Sequence, residues 1–354
     1  MRDGFVKVAA GTPKIRVADC DYNAGQIISL MREAAAQGVK VLALPELCVT
    51  GYTCGDLFLQ PTLLDGAERA LGRILEETKE LDLLTALGVP VRNTNHRLYN
   101  CAAVMHKGEL LGLVPKSHIP NYGEFYEGRW FASGQNCAEP VWLCGDWADM
   151  GPRWLFNCYT LPELTVGVEI CEDLWAPEPP SGALAAEGAT LILNLSASDE
   201  VAGKADYRRA LVTGQSGRLC CAYVYADAGE GESSTDLVFA GHNMIAENGI
   251  LLAEKRFGTG LTVSEIDVGR LAHERRRMNN AAVRPDGAVT IHFNLNLGDT
   301  SLTRPVSPTP FIPSDESRRG ERCEEILTIA ALGLKKRLEH TNAPCAVVGL
   351  SGGL

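Results

Sequence analysis

The chain has 354 residues, 45% of them hydrophobic and 22% charged, a composition typical of a soluble globular protein. Because single cores stop growing near ~250–300 residues, this length predicts one large domain with additional elements. The formal net charge of −11 disfavours binding to nucleic acid or to anionic membranes. No apolar segment approaches the ~20 residues that cross a bilayer, so a membrane-spanning protein is not expected.

The cysteines and histidines exclude two further classes. Twelve cysteines are spread along the chain without a C-x-x-C pair or a secretory signal, which favours a reducing cytoplasm over a disulfide scaffold. The seven histidines form no cluster with metal-ligand spacing. We therefore expect a cytoplasmic protein without a bound metal.

The first fifty residues alternate strand, helix and strand. The apolar run FVKVAAG predicts a strand, and residues 21–38 carry apolar side chains at helical spacing before a terminating glycine. Residues 39–46, VKVLALPE, form a second nearly continuous apolar run. This βαβ start predicts an α/β fold with a largely buried sheet.

The same pattern continues for about 250 residues. An amphipathic helix is predicted over residues 67–81, and two hairpins are predicted with turns at Lys107-Gly108 and Asn248-Gly249. We expect about ten to twelve strands and at least five helices, with uncertain boundaries. Three further apolar runs are expected to be core strands: residues 164–171, 189–198 and 219–229.

Composition changes after residue 296. Residues 297–320 hold four prolines between Pro305 and Pro313 and show little apolar periodicity, which is typical of a linker. A helix over residues 321–341 is then predicted to lead into a short buried strand, 346–350, and the sequence Ser351-Gly352-Gly353. The predicted organisation is a domain over 1–296, a linker over 297–320 and the start of a second α/β domain over 321–354.

Three chemically active side chains directly follow predicted strands. Glu46 ends LALPE, Lys116 ends GLVPK, and Cys171 ends GVEIC at a strand-to-helix turn. A cysteine at such a turn is expected to be exposed and close to backbone N–H groups, which suits a nucleophile with an oxyanion hole. A carboxylate and a lysine at strand ends can act as general base and oxyanion stabiliser. Each residue alone could be an ordinary solvated or buried side chain, but together they form a plausible catalytic set.

The motifs around these residues resemble a known family. LPELCVTGY, VPKSHIPNYGEFYEGRWF and GVEICEDLW, in this order, resemble the carbon–nitrogen hydrolase (nitrilase) superfamily, and more narrowly the N-terminal glutaminase domain of glutamine-dependent NAD synthetases. The NLSAS stretch at residues 194–198 fits the same family, whereas Ile119 replaces its usual leucine. The resemblance covers the chain from about Phe5 to Leu354.

The resemblance implies a fold, a reaction and its site. The fold would be a four-layer α-β-β-α sandwich, with Cys171 as nucleophile, Glu46 as general base and Lys116 as oxyanion stabiliser. Glu127 would orient Lys116 and the attacking water, although Glu124 lies close enough to be confused with it. The glutamine head group would be held by Tyr122, Glu172 and Ser198.

The resemblance also implies partners. The glutaminase domain would need no cofactor, while ATP and Mg would serve a synthetase domain whose phosphate loop begins at Ser351, Gly352 and Gly353 and which the chain leaves incomplete. The implied substrates are L-glutamine and, at the synthetase domain, ATP and deamido-NAD. A homo-oligomer is expected.

Two other interpretations stay open at this point. The first is a stand-alone nitrilase-type amidase or carbamoylase that acts on another amide, because the catalytic set would be identical. The second is a non-catalytic scaffold, which the intact glutamate, lysine and cysteine disfavour.

Overall fold

A computed structural model describes residues 1–234, 236–278, 287–312, 315–349 and 352. The chain divides into two compact units, Met1–Arg304 and Pro305–Leu354. The strands are β1 (Phe5–Thr12), β2 (Val41–Ala43), β3 (Leu84–Arg92), β4 (Leu98–His106), β5 (Glu109–Pro115), β6 (Glu139–Leu143), β7 (Asp146–Met150), β8 (Trp154–Cys158), β9 (Thr165–Ile170), β10 (Leu191–Ser196), β11 (Ala222–Asp227), β12 (Asn243–Glu247), β13 (Ile250–Lys255), β14 (Gly260–Asp267) and β15 (Val289–Phe293). The helices are α1 (Cys20–Ala36), α2 (Pro61–Glu77), α3 (Glu172–Trp175), α4 (Pro180–Ala186), α5 (Lys204–Leu219), α6 (Val268–Arg277) and α7 (Arg319–Thr341), with 3-10 turns at Tyr52–Leu59, Glu127–Arg129 and Glu316–Arg318.

The first unit contains two mixed sheets. One has eight strands in the order β14-β1-β2-β3-β4-β5-β7-β6, and the other has seven in the order β13-β12-β11-β10-β9-β8-β15. Side chains alternate between the two faces of each strand, so β1 directs Val6, Val8 and Ala10 into the core between the sheets and Ala9 toward α1. A third cluster lies between the second sheet and α4 and α5, with Ile192 and Val212 at its centre. The predicted four-layer sandwich is confirmed.

Both predicted hairpin turns form. Lys107-Gly108 connects β4 to β5, and Asn248-Gly249 connects β12 to β13. All four residues have positive φ, between 46° and 83°, as a two-residue turn requires when its twist matches that of the strands.

Three expectations about elements were wrong in detail. The described residues form fifteen strands rather than ten to twelve, partly because β6 and β7 are five-residue strands with exposed polar positions that carry little apolar signal. Helix α2 begins six residues before residue 67, because Pro61 occupies its first turn, where the missing N–H costs nothing. The predicted buried strand at 346–350 does not form over 346–349, and Val347 is 95% exposed. A strand needs a hydrogen-bonded neighbour, and no described strand pairs with this segment.

The second unit contains α7 and the turn before it. The structure keeps residues through Arg304 with the first unit, since Thr303 and Arg304 bind the buried carboxylate of Glu265 and Arg304 pairs with Glu247 at 2.9 Å. The predicted domain limits at 296 and 320 stay predictions. Among the described residues, no helix is long and apolar enough to cross a membrane.

A carboxylate outside the predicted catalytic set is buried against the second sheet. Glu169 on β9 accepts hydrogen bonds from the Tyr223 hydroxyl and from the Ser181 backbone N–H, the latter at 2.8 Å. Burial raises its pKa from an ordinary 4.5 to about 7. Because the folded state binds this proton more tightly than the unfolded state, its contribution to the unfolding free energy is present below pH 4.5 and lost as the pH rises to 7.

We therefore expect Glu169→Gln to remove up to about 3 kcal/mol of the fall in unfolding free energy between these pH values. Urea unfolding at several pH values measures this difference between wild type and variant. Glu163→Gln, at an exposed position, is the matched control and should leave the pH dependence unchanged. Parallel curves for wild type and Glu169→Gln would contradict the prediction.

Candidate active site

The turn after β2 places Glu46 in the interior. Gly88 on the adjacent β3 permits this, because a Cβ there would lie 2.0 Å from Leu47 N and 2.6 Å from Pro45 O. The Gly88 N–H instead donates to Pro45 O at 3.1 Å. The Glu46 carboxylate is fully buried, and its Oε2 accepts a hydrogen bond from the Ala197 N–H at 3.0 Å.

Lys116 follows β5 directly and bridges two carboxylates. Its Nζ lies 2.6 Å from Glu46 Oε1 and 2.7 Å from Glu127 Oε1, and the side chain is fully buried. Burial opposes the charge, but the attraction of Glu127 and Glu46 outweighs it and raises the lysine pKa well above its ordinary value. The two carboxylates therefore favour the charged ammonium form of Lys116 in this buried site.

Glu127, in the turn Glu127–Arg129, is the second carboxylate on this lysine. Its Oε1 also accepts the Tyr52 hydroxyl at 2.8 Å, whereas its Oε2 has no hydrogen-bond partner among the described residues. Burial raises the Glu127 pKa to about 7. Glu124 is exposed, so the structure places Glu127 rather than Glu124 beside Lys116.

Cys171 lies between β9 and α3, as predicted, with φ 42° and ψ −97°. Its N–H donates to Leu195 O at 3.0 Å, which fixes this left-handed conformation against β10. The expected exposure of Cys171 was wrong: the residue is only 6% exposed, because β10 and the Glu46 turn enclose it. Burial, and then the charge of Glu46, raise the thiol pKa well above 9. The resting nucleophile is therefore a protonated thiol.

The sequence analysis missed two residues that position this set. Asn100, in the middle of β4, donates from Nδ2 to Glu46 Oε1 at 2.6 Å, while its backbone oxygen accepts the Lys116 N–H at 2.8 Å. The second is Asp173, whose buried carboxylate accepts the backbone N–H groups of Ser117, His118 and Ile170. Asp173 thus ties the strand end at Lys116 to the strand end at Cys171.

The predicted substrate-binding residues fall into two places. Tyr122 is 59% exposed and donates from its hydroxyl to Glu172 Oε1 at 2.8 Å. Ser198 is buried, and its hydroxyl accepts a hydrogen bond from Arg208 at 3.1 Å. The structure brings Tyr122 and Glu172 together and holds Ser198 in a separate buried network with Arg208.

Of the predicted phosphate loop, Ser351 and Gly353 lie outside the described residues. Gly352 has φ 55° and nothing within contact distance of a Cβ built on it. One described glycine does not by itself form a phosphate-binding loop. Within the described part of the chain, no group of three or more His, Cys, Asp or Glu side chains could hold a metal ion.

The Tyr52 hydroxyl tests the role of the Glu127 carboxylate. Tyr52→Phe removes the hydrogen bond from the Tyr52 hydroxyl, so that Lys116 is the one remaining donor to the Glu127 carboxylate among the described residues. The Glu127 pKa should therefore rise further above its ordinary value. We expect about a tenfold loss of kcat/KM and an unfolding free energy lower by about 1–2 kcal/mol. Tyr159→Phe, at an exposed ring, is the control and should change neither quantity measurably. If kcat/KM depends on pH in the same way in Tyr52→Phe and in wild type, the Tyr52 hydroxyl does not influence the Glu127 pKa.

A buried Glu-Lys-Glu set beside a cysteine at a strand-to-helix turn, on a four-layer sandwich, defines a hydrolase of carbon–nitrogen bonds. The family model for "Carbon-nitrogen hydrolase" matches residues 7–276, and the chain belongs to this family. A curated relative from Mycobacterium tuberculosis is named glutamine-dependent NAD(+) synthetase. It is 41% identical over an alignment of 363 positions, gaps included, which covers 99% of this chain and 53% of that protein. The chain thus spans about half the length of the curated relatives it matches.

Solved structures agree with this assignment. A glutamine-dependent NAD(+) synthetase from Cytophaga hutchinsonii superposes with a TM-score of 0.66 at 30% identity, covering 75% of this chain and 43% of that chain. An amidase from Nesterenkonia superposes with a TM-score of 0.61 at 21% identity, covering 78% of this chain and 97% of that chain. The amidase shares the fold, and the predicted resemblance to the glutaminase domains of NAD synthetases is confirmed.

Proposed function

We propose that this chain is the glutamine amidohydrolase part of a glutamine-dependent NAD synthetase. The observation that carries the proposal is the buried contact of Lys116 with Glu46 and Glu127 in the same core as Cys171. The 41% identity to a protein named for glutamine-dependent NAD synthesis supports glutamine as the amide.

The first chemical step needs a base, because the Cys171 thiol is protonated at rest. Glu46 takes the thiol proton as sulfur attacks the side-chain carbonyl carbon of glutamine. The carbonyl oxygen becomes an oxyanion, which the Lys116 ammonium and the backbone N–H of Glu172 stabilise. As this tetrahedral intermediate collapses, Glu46 returns the proton to the nitrogen, the C–N bond breaks and ammonia leaves.

The second step regenerates the enzyme. Water attacks the thioester on Cys171 and gives a proton to Glu46. As the C–S bond breaks, Glu46 returns that proton to the leaving sulfur, so glutamate and the thiol are released. Glu127 orients Lys116 through Oε1, and its Oε2, which has no partner among the described residues, is the acceptor available to the attacking water. Two moderate barriers replace one large barrier.

The rim of the site would recognise the head group of the substrate. Glu172, held by the Tyr122 hydroxyl, offers a carboxylate to the glutamine ammonium group. Ser198, buried with Arg208, would contribute through the position of its backbone or by a change of hydroxyl partner.

The remaining partners belong to the whole protein. Ammonia would pass to an adenylated intermediate that the synthetase domain makes from deamido-NAD and ATP with Mg, with Ser351, Gly352 and Gly353 in its phosphate loop. The glutaminase reaction itself uses no cofactor. We also propose a cytoplasmic homo-oligomer that binds neither nucleic acid nor membrane; sedimentation of a clean monomer would contradict the oligomer.

The alternative function is that of an amidase with another substrate. This alternative is supported by the fold that the chain shares with the Nesterenkonia amidase. The test is labelling with 6-diazo-5-oxo-L-norleucine, a glutamine-shaped diazoketone, followed by peptide mass spectrometry. A single adduct on Cys171 that excess glutamine prevents is the expected result. Hydrolysis of acetamide or butyramide without glutamine protection of Cys171 would instead favour the amidase.

A further inference from the structure

A cavity on the first unit lies beside the segment that follows Lys116, where Ser117 and His118 line it. It has a volume of about 320 Å³, at the lower end of the range for small-molecule sites. Its polar lining consists of Ser117, His118, Gln135, Arg153, Glu178 and Arg218. None of these residues belongs to the reacting set around Cys171.

The cavity collects positive charge on an acidic chain. Arg153 comes from the loop before β8, Arg218 from the last turn of α5, and His118 from the segment after β5. Arg218 donates to Gln215 Oε1, a neutral amide, at 2.8 Å, and neither arginine has an ion-pair partner among the described residues. Against these cationic groups the cavity offers one carboxylate, Glu178, in a protein with a net charge of −11.

One wall of the cavity is rigid. Pro177, Pro179 and Pro180 line it together with Pro152 from the opposite loop. Proline rings fix φ, so this wall loses little conformational entropy when a ligand binds. Guanidinium groups bind phosphate and carboxylate groups through paired N–H donors, so Arg153 and Arg218 in the lining favour an anionic ligand.

His118 links the cavity to the active site. Its Nδ1 lies 3.0 Å from Asp173 Oδ1, and the imidazole, which lines the cavity, is 31% exposed. Its Nε2 has no hydrogen-bond partner among the described residues. The same Asp173 carboxylate holds the backbone after Lys116 and the N–H of Ile170, directly before Cys171. A ligand on His118 therefore acts on the carboxylate that sets the spacing of the lysine and the cysteine.

We propose that this cavity binds a small organic anion with phosphate or carboxylate groups, and that its occupancy is transmitted through His118 and Asp173 to the reactivity of Cys171. An anion on Nε2–H stabilises the doubly protonated imidazole, and the added positive charge strengthens the hydrogen bond from Nδ1–H to Asp173. This holds the strand ends at Lys116 and Cys171 in register. Occupancy should therefore speed attack by Cys171.

The experiment titrates the full chain with inorganic phosphate, and separately with malonate, at constant ionic strength. The Cε1–H proton signal of His118, identified by its loss in His118→Gln, reports binding. The rate of Cys171 alkylation by the diazoketone reports the coupling. We expect a saturable shift of the His118 signal and an alkylation rate about fivefold higher, the lower end of couplings between two sites.

The variant Arg153→Gln/Arg218→Gln should lose the saturable shift and the rate increase while keeping the basal alkylation rate. Arg276→Gln, an exposed arginine outside the cavity, is the matched control and should behave as wild type. A His118 signal that does not saturate, or that responds equally in the double variant, overturns the anion site. A saturable shift without a change in rate overturns the coupling.

This proposal fails separately from the proposed function. If Cys171 is not alkylated under any condition, glutamine hydrolysis is in question, while the His118 signal still decides whether the cavity binds an anion. Tighter binding of phosphate than of malonate would assign the natural ligand to organic phosphates, and the reverse order would assign it to carboxylates.

Discussion

Cys171→Ala is expected to lower glutamate release from glutamine by about 10⁴-fold or more, because no other group in the site can form the thioester. The loss should be confined to kcat, since the rim residues that recognise glutamine are unchanged. Initial rates over a range of glutamine concentrations measure it. The diazoketone adduct should disappear from the same variant.

Cys220→Ala is the matched control for this prediction. Cys220 is also buried and also has a positive φ, 48°, against 42° for Cys171, but it caps α5 outside the site. Each alanine variant therefore loses a buried thiol at a residue with positive φ, although ψ is 54° at Cys220 and −97° at Cys171, so the two backbone conformations differ. Only Cys171→Ala should lose activity, and equal losses in both would show that the effect comes from stability rather than from chemistry.

The proposed catalytic residues could be singled out in the sequence because their signals are local. Glu46, Lys116 and Cys171 each follow an apolar run that becomes a strand, and the ends of such strands meet at one edge of the fold. The hairpin turns were equally local, since Lys107-Gly108 and Asn248-Gly249 need only two residues with positive φ.

The features of the site that the sequence did not predict depend on contacts between distant segments. Asn100 reaches Glu46 only because β4 pairs with both β3 and β5, and nothing in its own stretch, LYNCAAV, indicates this. The burial of Cys171 likewise depends on β10 packing beside β9. Residues 346–350 show the converse: the pattern of a strand is present, but a strand forms only where a neighbour accepts its hydrogen bonds.

Lys116→Met should have the largest effect on stability. Among the described residues, Lys116 is the only cation in contact with Glu46 and Glu127, and its loss leaves two neighbouring carboxylates buried without a counter-charge. Breaking a buried pair in this way costs about 3–5 kcal/mol of unfolding free energy, and loss of the oxyanion stabiliser costs about 10²–10³ in kcat. Lys79→Met, which breaks an exposed pair with Glu76, should leave the unfolding free energy nearly unchanged.

A second substitution separates the electrostatic cause from simple loss of packing. Glu127 has a pKa of about 7, so in Lys116→Met it becomes protonated more readily, and the destabilisation should be smaller at pH 6 than at pH 8. Lys116→Met/Glu127→Gln removes one of the two charges and should recover part of the lost stability without recovering activity. If the double variant is no more stable than Lys116→Met, the two carboxylates do not repel each other in the folded protein. A recovered stability with activity still absent would show that the lysine both holds the site together and serves the reaction.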